Sequence, residues 1–178
     1  MQTNLSSNKC MIKLRAPEPE DINIIYEWEN DSEFLESGCN VAPVSLNQIT
    51  DYVLNYDADI YKTGQLKLLI HSVELNKAIG CIDLYDFDAI NNRCFIGFLI
   101  DKKFQNRGYA TIAIRSLIDY CRNRLSLKQI AAITSCTNTY SIQLLENCGF
   151  KNSGKLENWI KGENSNYKDA FIFQLLLN

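Results

Sequence analysis

Residues 98 to 110 read Phe98-Leu99-Ile100-Asp101-Lys102-Lys103-Phe104-Gln105-Asn106-Arg107-Gly108-Tyr109-Ala110. An apolar, strand-like run ends near Ile100, a short polar turn follows, and a long amphipathic helix is expected to open at Gly108. The first N–H groups of such a helix have no partner within it, and its dipole adds partial positive charge at the same end. The junction therefore favours an anion. Gly108 and the small Ala110 leave the backbone open to a phosphate, and Arg107 can add charge-assisted hydrogen bonds. This chemistry suits a diphosphate-bearing ligand. The loop is neither a Walker loop nor a dinucleotide fingerprint, because G-x-x-x-x-G-K-[ST] and G-x-G-x-x-G are both absent. An ordinary strand-turn-helix junction shares these local features, so the rest of the chain must decide.

The elements that position the loop are legible around it. A strand over 11–15 ends at Ala16-Pro17, and Pro17-Glu18-Pro19-Glu20-Asp21 has the prolines and acids of a first helical turn. Ile22, Ile25 and Trp28 give that helix an apolar face. Ser45 is placed to cap a second helix that carries Ile49, Tyr52, Val53 and Tyr56 on one side. Strand-like runs over 67–73, 78–87 and 93–100, joined by turn-like segments, predict an antiparallel meander. In the helix over 108–124, Ala110, Ala113, Ile114, Leu117, Ile118 and Cys121 recur at spacings of three and four. A buried strand over 128–135, a short helix over 138–148 stopped by Gly149, and strands over 150–160 and 168–177 follow. The order predicts one α/β (α+β) domain over 11–178, built on a single mixed, mostly antiparallel sheet of about seven strands with helices on both faces. Residues 1–10 are expected as a flexible N-terminal tail.

Three landmarks stand in order. Gln105-Asn106-Arg107-Gly108-Tyr109-Ala110 fits (Q/R)-x-x-G-x-(G/A), Asn138-x-x-Ser141 opens the short helix, and Cys148-Gly149-Phe150 closes it. Together they resemble the GCN5-related N-acetyltransferase (GNAT) family over nearly the whole chain. Leu14-Arg15, Asp21 and Trp28-Glu29-Asn30-Asp31 resemble its branch of ribosomal-protein alanine and spermidine acetyltransferases. The resemblance implies acetyl-CoA as cofactor and direct attack of an amine on its thioester. Main-chain groups of Phe98, Leu99 and Ile100 would pair with the pantetheine arm like an added strand. Gln105, Asn106, Arg107, Gly108, Tyr109, Ala110 and Thr111 would wrap the pyrophosphate, with Arg115 and Lys102 or Lys103 as further phosphate partners. Asn138 would bond the cofactor's arm, and Ser141 beside it would bind it too. For catalysis, the backbone N–H of Leu99 would polarise the thioester carbonyl. Ser141 would protonate the leaving thiolate, although a helix-start serine can equally bond to backbone. Polyamine-acetylating relatives use a tyrosine seven residues after the asparagine; this chain has Leu145 there, and Tyr140 lies at another angle. The strand of Phe95 lacks the carboxylate that some relatives use as base, so Glu29, Glu33, Asp83 and Asp86 are the candidates, with Glu29, Glu33 and Asp83 expected on the acceptor side.

Charge bears on the acceptor. Between Ala16 and Tyr61 there is no lysine or arginine but eleven acids: Glu18, Glu20, Asp21, Glu27, Glu29, Asp31, Glu33, Glu36, Asp51, Asp57 and Asp59. From 102 to 128 seven basic residues face Asp119 alone. An acidic first half would attract a cationic acceptor, whether a polyamine, another small amine or a protein N-terminus. The overall net charge of -3 argues against nucleic acid as partner, and no apolar run reaches bilayer-spanning length. Seven cysteines without a C-x-x-C pair, and a lone His71 in a strand-like run, predict buried thiols in the cytoplasm and no metal. A homodimer is compatible with this reading. The alternative function is a catalytically weak acyl-CoA-binding module of the same fold, which the missing tyrosine favours.

Overall fold

Apolar side chains alternate along the strands and so cover both faces of one sheet, each face closed by its own helices. The computed structural model describes residues 11–31, 42–162 and 166–177. The tail expected over 1–10, and Glu33 and Glu36, lie outside the described residues. Among the described residues the helices and strands are β1 (Ile12–Arg15), α1 (Ile22–Glu29), α2 (Leu46–Leu54), α3 (Ile60–Thr63), β2 (Leu66–Ser72), β3 (Lys77–Asp88), β4 (Arg93–Ile100), α4 (Tyr109–Asn123), β5 (Gln129–Ser135), α5 (Thr139–Asn147), β6 (Lys151–Lys161) and β7 (Tyr167–Leu176). The seven strands lie in the order β1-β2-β3-β4-β5-β7-β6. All neighbours are antiparallel except β4 and β5, which run parallel. The mixed, mostly antiparallel sheet expected from the sequence is therefore present. The short α3, capped by Asp59 and ended by Gly64 at φ +72°, was not foreseen.

On one face, Leu68, Ile70, Ile82, Leu84 and Ile96 meet the stripe of α4 formed by Ala113, Ile114, Leu117 and Cys121, and Leu144 and Leu145 of α5 join the same core. On the other, Ile25 and Trp28 of α1 and Ile49 and Val53 of α2 cover Leu69, Ala78 and Cys81. Local chemistry fixes the ends of these covering helices. The Gln48 N–H donates to Ser45 Oγ at 3.2 Å while the Ser45 N–H donates to Gln48 Oε1 at 2.9 Å, a reciprocal cap. Asn30 clasps the end of α1 to the lead-in of α2, donating to Tyr26 O and Val44 O and accepting from the Val44 N–H. His71 accepts from Arg15 Nε at 3.2 Å, and the same arginine forks onto Asp21 at 2.6 and 2.8 Å. This lone histidine belongs to the tie between β1, β2 and the start of α1. Five described cysteines are free thiols, and Cys81, Cys94 and Cys121 are buried. No described helix is long and apolar enough to cross a membrane.

One glycine is indispensable to the sheet. Gly80 of β3 faces Ile100, and a Cβ built on it would lie 2.2 Å from Leu99 O. That oxygen is backbone, so the strands themselves would have to part. Gly80→Ala is expected to cost about 3 kcal/mol or more, the upper end of overpacking. Chemical denaturation of the purified variant measures it.

Candidate active site

Strand β4 is held on both edges only at its start. Arg93, Cys94 and Phe95 pair with Gln129, Ile130 and Ala131 of β5, and no pairing follows. Beyond that point β4 remains bound to β3 and β5 to β7, so the two middle strands diverge into a V. Ladder phase shows which groups face the gap. The Asp101 N–H donates to Ile79 O, so stepping back by twos places the N–H and C=O of Leu99 and Gly97 toward β3. Phe98 and Ile100 direct theirs toward the gap. From β5, the Cys136 N–H donates to Asp169 O, which by the same count turns Ile133 and Ser135 toward the gap. This corrects the expectation for Leu99. Its N–H is spent on the β3 ladder, and the donors at the gap belong to Phe98 and Ile100. An extended, amide-bearing arm can satisfy these edges as an added strand does.

The loop after β4 closes the wide end of the V. Asp101 Oδ1 caps the turn by accepting from the Lys103 N–H at 2.9 Å. Gln105 folds back, its Nε2 donating to Ile100 O at 3.0 Å, so this side chain ties the loop to the strand. Asn106 and Gly108 both have positive φ, +60° and +81°, and Gly108 is the N-cap of α4. Alternating backbone handedness of this kind turns successive N–H groups inward, which with the helix dipole makes an anion cradle. The Arg107 guanidinium sits 5.7 Å from the Phe104 ring centre, exposed beside the cradle. Tyr109 and Ala110 are buried, while Thr111 is half-buried at the first turn. Of the looser phosphate candidates, Lys102 is in a salt bridge with Asp31 at 2.9 Å, and Lys103 and Arg115 are exposed.

Across the gap, Asn138 caps α5, its Oδ1 accepting from the Ser141 N–H at 3.0 Å. Capping uses the oxygen and leaves Nδ2 to donate. The Ser141 hydroxyl forms no hydrogen bond among the described residues, so it is not spent on backbone. Leu145 is wholly buried in the core and carries no proton donor. Tyr140 is 44% exposed.

A polar row crosses the sheet toward the V on the face covered by α1 and α2. Lys67, Asp83 and Gly97 are consecutive cross-strand partners on β2, β3 and β4. The Lys67 ammonium donates to Asp83 at 2.9 Å and to Glu29 of α1 at 3.1 Å, with Cys81 Sγ at 3.9 Å. Burial alone would lower the lysine; Cys81 and the two carboxylates outweigh it and hold the ammonium well above its ordinary value. Burial raises the Asp83 carboxyl, Lys67 pulls it back, and Glu29 adds to the rise. Gly97 presents no side chain, and a Cβ there would meet only Tyr85 Cε1 at 3.8 Å. Gly97 therefore leaves room on this face of the sheet beside Asp83, next to the rings of Tyr85 and Phe95, which stack with centroids 5.7 Å apart. Asp86, the other strand acid considered, is exposed with φ +49° and stands apart from this row.

Sequence reasoning missed Lys67, Tyr52 and Tyr56. β1 pairs only with 69–72, so the Lys67 backbone edge beyond it is free, and Tyr56 fills it: the hydroxyl donates to Lys67 O at 2.6 Å and accepts from its N–H at 3.1 Å. A lysine between Leu66 and Leu68 in an apolar strand was the available signal. Trp28, expected on the apolar face of α1, also donates from Nε1 to Asp101 at 3.2 Å, joining α1 to the loop after β4. A separate cavity of about 300 Å³ lies beside the paired part of β4 and β5, between Phe95, Ala131, Ile172 and Gln174. It is outside the V and the polar row.

Comparison with known proteins shows the family. The family model described as an acetyltransferase (GNAT) domain matches residues 12–151. An uncharacterized N-acetyltransferase of Bacillus licheniformis, p20, is 29% identical over 93% of this chain and 92% of its own length. A spermidine N(1)-acetyltransferase of Vibrio cholerae is 24% identical over 92% of this chain and 93% of its own. The crystal structure of the Vibrio cholerae spermidine N-acetyltransferase with CoA and spermine shares the fold, with a TM-score of 0.83 over 93% of this chain and 95% of that one, at 22% identity. The splayed β4 and β5, the cradle at Gly108 and the family match lead to one conclusion: this chain belongs to the GNAT family and is an acetyl-CoA-dependent N-acetyltransferase.

Proposed function

We propose that the enzyme, acting as a single domain over 11–178 in the cytoplasm, acetylates the primary amine of a cationic acceptor by direct attack, with Asp83 as the base. The acceptor is a polyamine, another small cationic amine or a protein N-terminus. The observation that carries this reading is the row Lys67-Asp83-Gly97, which sets a carboxylate on β3 directly across from Gly97, on the strand that edges the V, just past the point where β4 leaves β5. Acetyl-CoA supplies the activated acetyl group as a thioester. The gap-facing backbone of Phe98 and Ile100, with Leu99 between them, would align the pantetheine arm, and one of their N–H groups would take the charge growing on the carbonyl oxygen. The amides from Asn106 to Thr111 would hold the pyrophosphate, with Gln105 fixing the loop and Arg107 adding charge. Asn138 Nδ2 would bond the arm from the opposite wall. Asp83 would accept the amine's proton, and the free Ser141 hydroxyl would protonate the leaving thiolate. Glu29 would share the acceptor's positive charge. Glu33 remains a candidate on sequence grounds alone.

Leu145 keeps the second reading, an acyl-CoA-binding module with weak catalysis, in view. A panel of spermidine, spermine, small amines and N-terminal peptides, assayed for thiol release and acetylated product, decides between them. Transfer to at least one amine is expected. Tight CoA binding without transfer to any would replace the enzyme reading with the binding module.

Two variants test the assignments. Asp83→Asn is expected to lower kcat about a hundredfold or more, in the range of general-base removal, with KM for acetyl-CoA unchanged. A base must be ionised to act, so activity rises with pH through its pKa. Because burial raises Asp83, the acid limb of the wild-type profile should lie above that of an ordinary aspartate, and Asp83→Asn should abolish that limb. Asn138→Ala should raise KM for acetyl-CoA roughly tenfold, the worth of one or two hydrogen bonds, with little change in kcat at saturation.

A further inference from the structure

We propose that Lys67 is a positioning residue: its ammonium, seated between Asp83 and Glu29, holds Asp83 as an ionised carboxylate beside the open space over Gly97. The inference rests on the role proposed above for Asp83. Two carboxylates that both reach one nitrogen, at 2.9 and 3.1 Å, lie close together in a site where only 11% of the lysine side chain is exposed. Without a cation between them, the nearby Glu29 charge would favour the protonated form of Asp83, because like charges at short range oppose ionisation. Asp83 would then spend part of its time protonated and unable to accept the amine's proton. With one ammonium between two carboxylates, the cluster carries one excess negative charge, and that charge can take up a proton from the acceptor. The remaining 37% exposure of Asp83 is the face through which it would act.

The surroundings support this use of the lysine. Tyr56 grips the Lys67 main chain at both its N–H and its C=O, so the residue is fixed before its side chain extends. The other groups facing the ammonium are Cys81 on β3 and the phenols of Tyr52 on α2 and Tyr56 after it. Burial pushes both phenols up, Tyr56 to about 12, so they remain neutral and leave the charge balance to Lys67, Asp83 and Glu29. A lysine buried only to stabilise the fold would be poorly chosen, since a well-packed apolar side chain in place of an ion pair is often as stable.

The test compares wild type, Lys67→Met and Lys67→Arg by pH–rate profile and by carbon-13 NMR titration of the Asp83 carboxyl. Lys67→Gln replaces Lys67→Met should the latter not fold. Lys67→Met is expected to move the acid limb of kcat, and the Asp83 titration, upward by one pH unit or more, with KM for acetyl-CoA within twofold of wild type. Lys67→Arg keeps the charge and should keep the wild-type limb. A drop in rate that is uniform with pH, together with an unmoved Asp83 titration, would show a merely structural lysine and overturn the proposal. The titration needs no turnover. If no amine is acetylated but the Asp83 titration still moves, the acetyl-acceptor reading fails while the hold of Lys67 on Asp83 stands.

Discussion

The divergence of β4 from β5 after Phe95 and Ala131 is the constraint on which the rest of this protein depends. A sheet edge inside a domain leaves backbone groups that must find partners, and each one left dry costs about 1–3 kcal/mol. Here both edges remain ordered because each strand is fully bound on its far side, β4 by β3 and β5 by β7. Gly80 permits β3 to approach β4 closely where the gap is widest. The loop after β4 is fastened at its start, by Asp101 to Trp28, and in its middle, by Gln105 to Ile100. The gap is thus held open by rigid neighbours, and a ligand with an extended amide chain and a diphosphate matches both its edges and its mouth.

Part of the acidity of the first half is committed to ion pairs rather than spread as a general acidic surface. Several acids of the first half are committed to cations from elsewhere: Asp21 to Arg15, Glu29 to Lys67, Asp31 to Lys102 and Asp57 to Lys62. The exposed pair of Asp57 and Lys62 adds little to stability. The buried one differs, because Lys67 places its partner carboxylates against the space over Gly97. Asp31 and Lys102, with Trp28 and Asp101, tie α1 and the residues just after it directly to the loop after β4, the loop proposed to carry the cofactor's phosphates. Both substrates would therefore meet on elements that are bonded to each other.

Most of the architecture could be read from local pattern. The periodic stripe of α4, the serine cap of α2 and the strands β2 to β7 emerged within a residue or two of their ends, because burial and capping act over short sequence distances. The cradle at Gly108 was also visible, since a glycine between polar residues before an amphipathic helix is a local signal. What sequence could not supply was register. Lys67 meets Asp83 across sixteen residues of chain and Glu29 across thirty-eight, and nothing near any of them announces the meeting. The phase of β4 is likewise a property of its ladder with β3. Leu99 looked like the donor by position, yet the count from Asp101 turns its N–H away from the gap. Glu33 lies outside the described residues, so its part rests on sequence alone.

Backbone amide exchange measured by NMR, with and without saturating CoA, tests the central claim most directly. If the gap receives the cofactor as an added strand, CoA should slow exchange about tenfold or more at the gap-facing amides of Phe98, Ile100, Ile133 or Ser135, and in the loop from Asn106 to Thr111. Leu99 and Gly97, already bonded to β3, should change little. Unchanged exchange at Phe98 and Ile100, at a CoA concentration that saturates binding by calorimetry, would contradict the account.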